Sequence, residues 1–106
     1  MDFKPYDIGV WLSQIDVNAL SDAEQTELAR FDPTTDDGLD RVMCDWIAPR
    51  FAKWDEQNQH EMRAILAKSR EWSDEQLEPI FREFAFPGAE IEMHRFMAAL
   101  RRNFLA

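Results

Sequence analysis

LDRVMCDWIAPRFAKW, residues 39–54, decides the fold. Leu39, Val42, Met43, Trp46, Ile47, Phe51 and Trp54 recur at the three- and four-residue steps that bring side chains to one side of an α-helix. The stretch therefore reads as a helix with a single apolar stripe over about four turns. Pro49 lies inside it. Its ring clashes with the carbonyl of Asp45 and it has no N–H to donate, which predicts a kink or break near residue 48.

The flanking sequence repeats the helical spacing. Upstream, Ile8, Trp11, Leu12 and Ile15 form the inward face of a first helix, with Pro5 in its first turn. Gly9 costs this helix about 1 kcal/mol relative to Ala. Ser-Asp-Ala-Glu from Ser21 to Glu24 is a capping box that opens a short second helix, which turns Leu28 and Phe31 inward and stops before Pro33. Asp32 to Gly38 is the clearest loop, with Asp36 or Asp37 capping the helix that begins near Leu39. Downstream, Asp55 to Gln59 reads as a polar junction, and Met62, Ile65 and Leu66 mark a fourth helix ending near Arg70. Ser73 to Gln76 is a second capping box, with Trp72 and Leu77 placed to staple it. Leu77, Ile80, Phe81 and Phe84 continue that helix, Pro79 sets its first turn apart, and Phe86-Pro87-Gly88 ends it. A last helix spans about Ala89 to Phe104, with Met93, Phe96, Met97, Leu100 and Phe104 inward and Arg95, Arg101 and Arg102 toward its C-terminal end.

No stretch shows the period-two alternation of a strand. The predicted fold class is all-α: residues 1–106 as one domain, a compact bundle of five to six short helices, the third kinked or broken near Pro49. The Ser-Asp pairs at 21 and 73 are recurring caps rather than an internal repeat, because the sequences around them do not align.

Hydrophobic residues make up 45% of the chain and aromatics 12%, which sets it apart from disordered acidic tails. Cys44 is the single cysteine, so no intramolecular disulfide can form, and a reducing compartment is expected. The start has no basic segment leading into an apolar one, and the longest apolar run, Phe96 to Leu100, is far too short to cross a bilayer. A cytoplasmic location is the expectation.

Charge is unevenly placed. Residues 1–45 hold eleven acids and only three bases (Lys4, Arg30 and Arg41), a formal charge of −8, whereas residues 46–106 hold ten acids and nine bases, a charge of −1. A field of this sign repels nucleic acid and anionic membrane and attracts basic protein surface. Twelve of the twenty-one acids fall near predicted helix starts, where they suit the macrodipole, but they divide evenly between the two parts of the chain. The imbalance therefore comes from missing cations.

Motifs for other chemistries fail on spacing. An EF-hand loop begun at Asp32 would have Asp37 where Gly is required and Met43 where the bidentate Glu belongs. His60-Glu61 lacks the second histidine of a metalloprotease helix. Glu56/His60 and Glu90/His94 are i, i+4 pairs, where di-iron bundles use Glu-x-x-His. Cys44, beside the apolar stripe, reads as a small buried or half-buried hydrophobe rather than a nucleophile. No serine stands in a nucleophile elbow, and the three glycines are isolated, which excludes a phosphate-binding loop.

The expectation is a non-enzymatic protein-binding module of the inhibitor, immunity-type or adaptor kind, with no catalytic residue, cofactor or metal. Its acidic face would meet a basic protein partner through Glu24, Glu27, Asp32, Asp36, Asp37 and Asp40, with Trp54 as an apolar anchor. One alternative is a structural or regulatory helical homo-oligomer, if Met43, Met62, Met93, Met97 and the aromatics exceed what the core can hold. Another is a small metal-dependent enzyme built on Glu56/His60 and Glu90/His94.

Overall fold

The computed structural model describes residues 2–105; Met1 and Ala106 lie outside the described residues. Six helical segments and no strand are present among them. Segment α1 covers residues 5–15 as a 3-10 turn (Pro5–Ile8), one α turn (Gly9–Leu12) and a second 3-10 turn (Ser13–Ile15). Segment α2 is Asp22–Leu28. Segment α3 covers residues 36–52, and α4 is Glu56–Lys68 followed by a 3-10 turn, Ser69–Glu71. Segments α5 and α6 are Asp74–Phe81 and Met93–Phe104.

The stripe of residues 39–54 sits at the centre. Leu39, Val42, Met43, Ile47, Trp46 and Phe51 are buried, and Trp54 is half-buried at its end. The disruption expected at Pro49 takes the form of a π turn, Val42–Ile47, in which the Ala48 N–H reaches back to the carbonyl of Met43. This wider turn ends just before Pro49, leaving the proline in the first turn of the following α segment, Ala48–Ala52, where its missing N–H matters least.

Around α3 the core is one continuous cluster that includes Ile8, Trp11, Leu12, Ile15, Leu28, Leu66, Phe96 and Leu100. Trp11 is fully buried, and its indole N–H donates to the carbonyl of Met62 at 3.0 Å. It stacks on Phe51 with ring centroids 5.5 Å apart and meets Phe104 at 4.8 Å, so one aromatic trio ties α1, α3 and α6 together. Met43, Met62 and Met97 are buried and Met93 half-buried; among the described residues Tyr6 is the one large apolar side chain left strongly exposed. Phe3, Phe31, Trp54, Trp72, Phe81 and Phe84 are half-buried against this core.

Both capping boxes form. Ser21 Oγ accepts from the Glu24 N–H and Glu24 Oε1 accepts from the Ser21 N–H; Ser73 and Gln76 repeat the exchange. Other boundaries differ from the sequence reading. The cap of α3 is Thr35, not Asp36 or Asp37, and the helix starts at Asp36, three residues before Leu39. Asp55 caps α4, so the expected junction at 55–59 is that helix's cap and first turn. Pro79 does not detach the first turn of α5: the helix is continuous, and the residue whose carbonyl loses its donor, Glu75, is solvent-exposed. α6 begins at Met93 rather than near Ala89, because Glu92 caps it, accepting from the N–H groups of His94 and Arg95. Phe84 lies beyond the end of α5, in the segment 82–92 that turns at Pro87-Gly88, where Gly88 has φ 79°. Buried Asp16 fixes that segment by accepting from the Ala85 N–H at 3.1 Å, while Val17 donates to the Ala85 carbonyl at 2.9 Å.

Gly38 has a different task. A Cβ there would stand 1.6 Å from the carbonyl oxygen of Asp32, so the loop 32–35 lies directly on the first turn of α3 and only glycine lets it. Gly→Ala within a helix ordinarily stabilises by up to about 1 kcal/mol. Here the contact is with backbone, which reverses the sign, and overpacking of this kind costs about 1–3 kcal/mol. Gly38→Ala should lower stability by that amount in urea melts; an unchanged or raised midpoint would contradict the close approach.

Candidate functional site

Ion pairs redraw the charge map. Glu24 meets Arg50 at 3.0 Å, Asp36 meets Arg95 at 3.4 Å, and Asp40 meets Arg102 at 2.6 Å. In each pair the acid comes from residues 1–45 and the cation from residues 46–106. The cations missing from the first part of the sequence are supplied by the fold, and three of the six predicted partner-binding acids are neutralised internally.

Each pair is embedded in further bonds. Arg50 lies with its guanidinium carbon 3.7 Å from the Trp46 ring centroid and donates to the Trp46 carbonyl at 3.1 Å. The Trp46 indole N–H donates to the carbonyl of Gln14 at 2.8 Å, so α1, α2 and α3 meet at this residue. Arg95 also donates to the Thr34 carbonyl at 2.7 Å, tying the loop to α6. Asp40 Oδ1 takes three bonds, two from Arg102 and one from Asn103 at 3.0 Å. Arg101 donates to Ser69 Oγ. Arg95, Arg101 and Arg102 therefore do not act together as a C-terminal complement to the helix dipole: Arg95 stands in the first turn of α6, Arg101 and Arg102 in its last, and Arg95 and Arg102 reach α3 while Arg101 reaches the turn after α4.

The other three predicted acids lie together elsewhere. A groove of about 650 Å³ runs between the C-terminal end of α2 and the N-terminal half of α3. Its lining includes Glu27, Asp32, Asp37 and Asp45, the guanidinium-bearing Arg30 and Arg41, and the aromatic rings of Phe31 and Trp46. Glu27, Asp37 and Asp45 make no ion pair among the described residues. Asp32 bonds within its own loop, accepting from the hydroxyl and N–H of Thr34, and these bonds hold its carboxyl below the usual carboxylate range. Three predicted acids, Glu27, Asp32 and Asp37, thus share the groove. Trp54 does not line it; it stands at the far end of α3, where its carbonyl accepts from Gln59 at 2.7 Å.

Asp45, Arg30, Arg41, Phe31 and Trp46 were not anticipated as site residues. The signal for part of the set was present: Asp37, Arg41 and Asp45 stand at i, i+4 and i+8, a polar row along one side of α3. A second concavity of about 430 Å³, lined by Phe81, Phe84, Phe86, Ile91 and Met93 with charged Glu78, Arg82 and Glu90, lies between α5, the segment 84–92 and α6.

Cys44 is exposed, contrary to the sequence reading; it points away from the stripe, and its thiol lies 3.6 Å from Asn103 Oδ1. Glu56/His60 and Glu90/His94 do not converge. Glu90 lies outside the helix that carries His94, and His94 meets Asp74 at 3.1 Å. Among the described residues no group of three or more His, Cys, Asp or Glu side chains is placed to hold a metal ion. No helix among the described residues is long and apolar enough to cross a membrane.

Comparison with protein-family models, with curated proteins and with solved structures gives no match. The functional reading rests on the chemistry of the groove.

The paired acids make a pH prediction. The Ser21 N–H, then Arg50, lower the pKa of Glu24; Arg102, then Asn103, lower that of Asp40. A carboxyl whose folded pKa is depressed contributes stability that is present above its unfolded value of about 4 and is lost as pH falls through the folded value. Stability in urea melts should therefore fall below about pH 4, and Asp40→Asn should make that fall shallower. Parallel acid limbs for the variant and the parent would contradict the pairing.

Proposed function

We propose that the protein is a non-enzymatic binding module whose groove between α2 and α3 receives a basic segment of a partner protein, as an inhibitor or adaptor would. One observation carries this reading: of the six predicted acids, Glu24, Asp36 and Asp40 are paired within the fold, while Glu27, Asp32 and Asp37 line one groove together with Asp45. A groove of about 650 Å³ lined by four carboxylates has room for a chain segment bearing more than one cation. Attraction between such a groove and a basic partner raises the association rate and gives salt-dependent binding. Arg30 and Arg41 moderate the field and offer pairing sites for acids flanking the partner's cations.

The test separates free from paired acids. Glu27→Gln/Asp37→Asn/Asp45→Asn should weaken binding of a basic peptide by on the order of tenfold or more at low salt, with little change in stability. Asp36→Asn/Asp40→Asn, which disrupts internal pairs, should lower stability and leave peptide affinity within about twofold. Equal loss of affinity in both variants would mean that net charge, not the groove, governs binding.

A further inference from the structure

We infer that the groove recognises arginine in preference to lysine, a conclusion that rests on the proposed function and specifies the partner's chemistry. The α2–α3 seam already holds one guanidinium. Arg50 lies over the Trp46 ring at 3.7 Å and reaches the Glu24 carboxylate across the seam at 3.0 Å, so an aromatic face and a carboxylate from the facing helix grip it together. The groove continues the same seam. Trp46 belongs to both, Glu27 stands one turn along α2 from Glu24, and Asp45 adjoins Trp46 on α3. Phe31, half-buried in the segment that follows α2, adds a second aromatic ring to the lining.

The arrangement matches the chemistry of a guanidinium. Its planar, weakly hydrated face stacks on an aromatic ring while its edge donates two parallel bonds to a carboxylate. An ammonium is a compact, strongly hydrated point charge, which gains from the carboxylates but less from the ring. Among the described residues no group of three or more His, Cys, Asp or Glu side chains is placed to hold a metal ion. Aromatic stacking at a partly exposed site is worth about a two- to fivefold change in affinity.

Two fluorescein-labelled peptides of equal length and charge, one with arginine and one with lysine at every cationic position, are titrated against the full chain by fluorescence anisotropy at constant ionic strength. The arginine peptide should bind about two- to fivefold more tightly. Phe31→Leu should bring the arginine affinity down toward that of lysine and leave the lysine affinity unchanged, with its thermal melt recorded to establish that the fold persists. Equal affinities of the two peptides for the parent protein overturn the arginine preference and leave the acidic-groove reading standing. Failure of both peptides to bind overturns the two together. A loss of both affinities in Phe31→Leu with an intact melt also overturns the preference, because the ring would then be shaping the groove rather than selecting the cation.

Discussion

Arg50 closes the seam between α2 and α3 and holds three segments of the fold in register. Its guanidinium covers the Trp46 ring, bonds the Trp46 carbonyl and meets Glu24, whose other oxygen completes the capping box with Ser21. The Glu24–Arg50 pair is too exposed to contribute much as an isolated ion pair. Its effect comes from connection: Trp46 is anchored to Gln14 on α1, so the start of α2, the middle of α3 and the end of α1 are fixed against one another. The groove is what remains of the seam beyond that contact, kept open on its other side by the loop that Gly38 allows to lie against α3.

This pair and two others change the meaning of the acidic first part of the chain. Counted along the sequence, eight charges go uncompensated. Counted in space, Arg50, Arg95 and Arg102 reach across to Glu24, Asp36 and Asp40, and Glu27, Asp32, Asp37 and Asp45 come together on one groove. The pairs also tie the loop and the first turns of α3 to α6, so the walls of the groove are set by long-range contacts.

Much of the architecture was legible because it is local. The stripe 39–54, the two capping boxes and the inward face of α1 all depend on residues within a turn or two of each other, and each is present as read. The misplaced boundaries have local causes that compete closely: Thr35, Asp36 and Asp37 are all competent caps, and the fold selects Thr35 because the close approach of Asp32 requires Gly38 inside the first turn. Cys44 was misassigned by its nearness to Met43 and Trp46 in sequence, although it is two residues from the inward Val42 and Trp46 and so faces outward. The site was only half legible. The ion pairs join residues 26, 59 and 62 positions apart, and nothing in the local pattern distinguishes Glu24, Asp36 and Asp40, which find cations, from Glu27 and Asp37, which do not.

The central claim is that the groove between α2 and α3 is where the protein meets a cationic partner. The most direct test is to add an arginine-containing peptide to the ¹⁵N-labelled protein and follow the backbone amides by heteronuclear NMR. The account predicts shifts concentrated at residues 27–32, 35–38 and 41–46, with residues 74–93 undisturbed. Shifts centred on the cleft near Phe81 and Phe84, or spread evenly over every exposed acid, would contradict it.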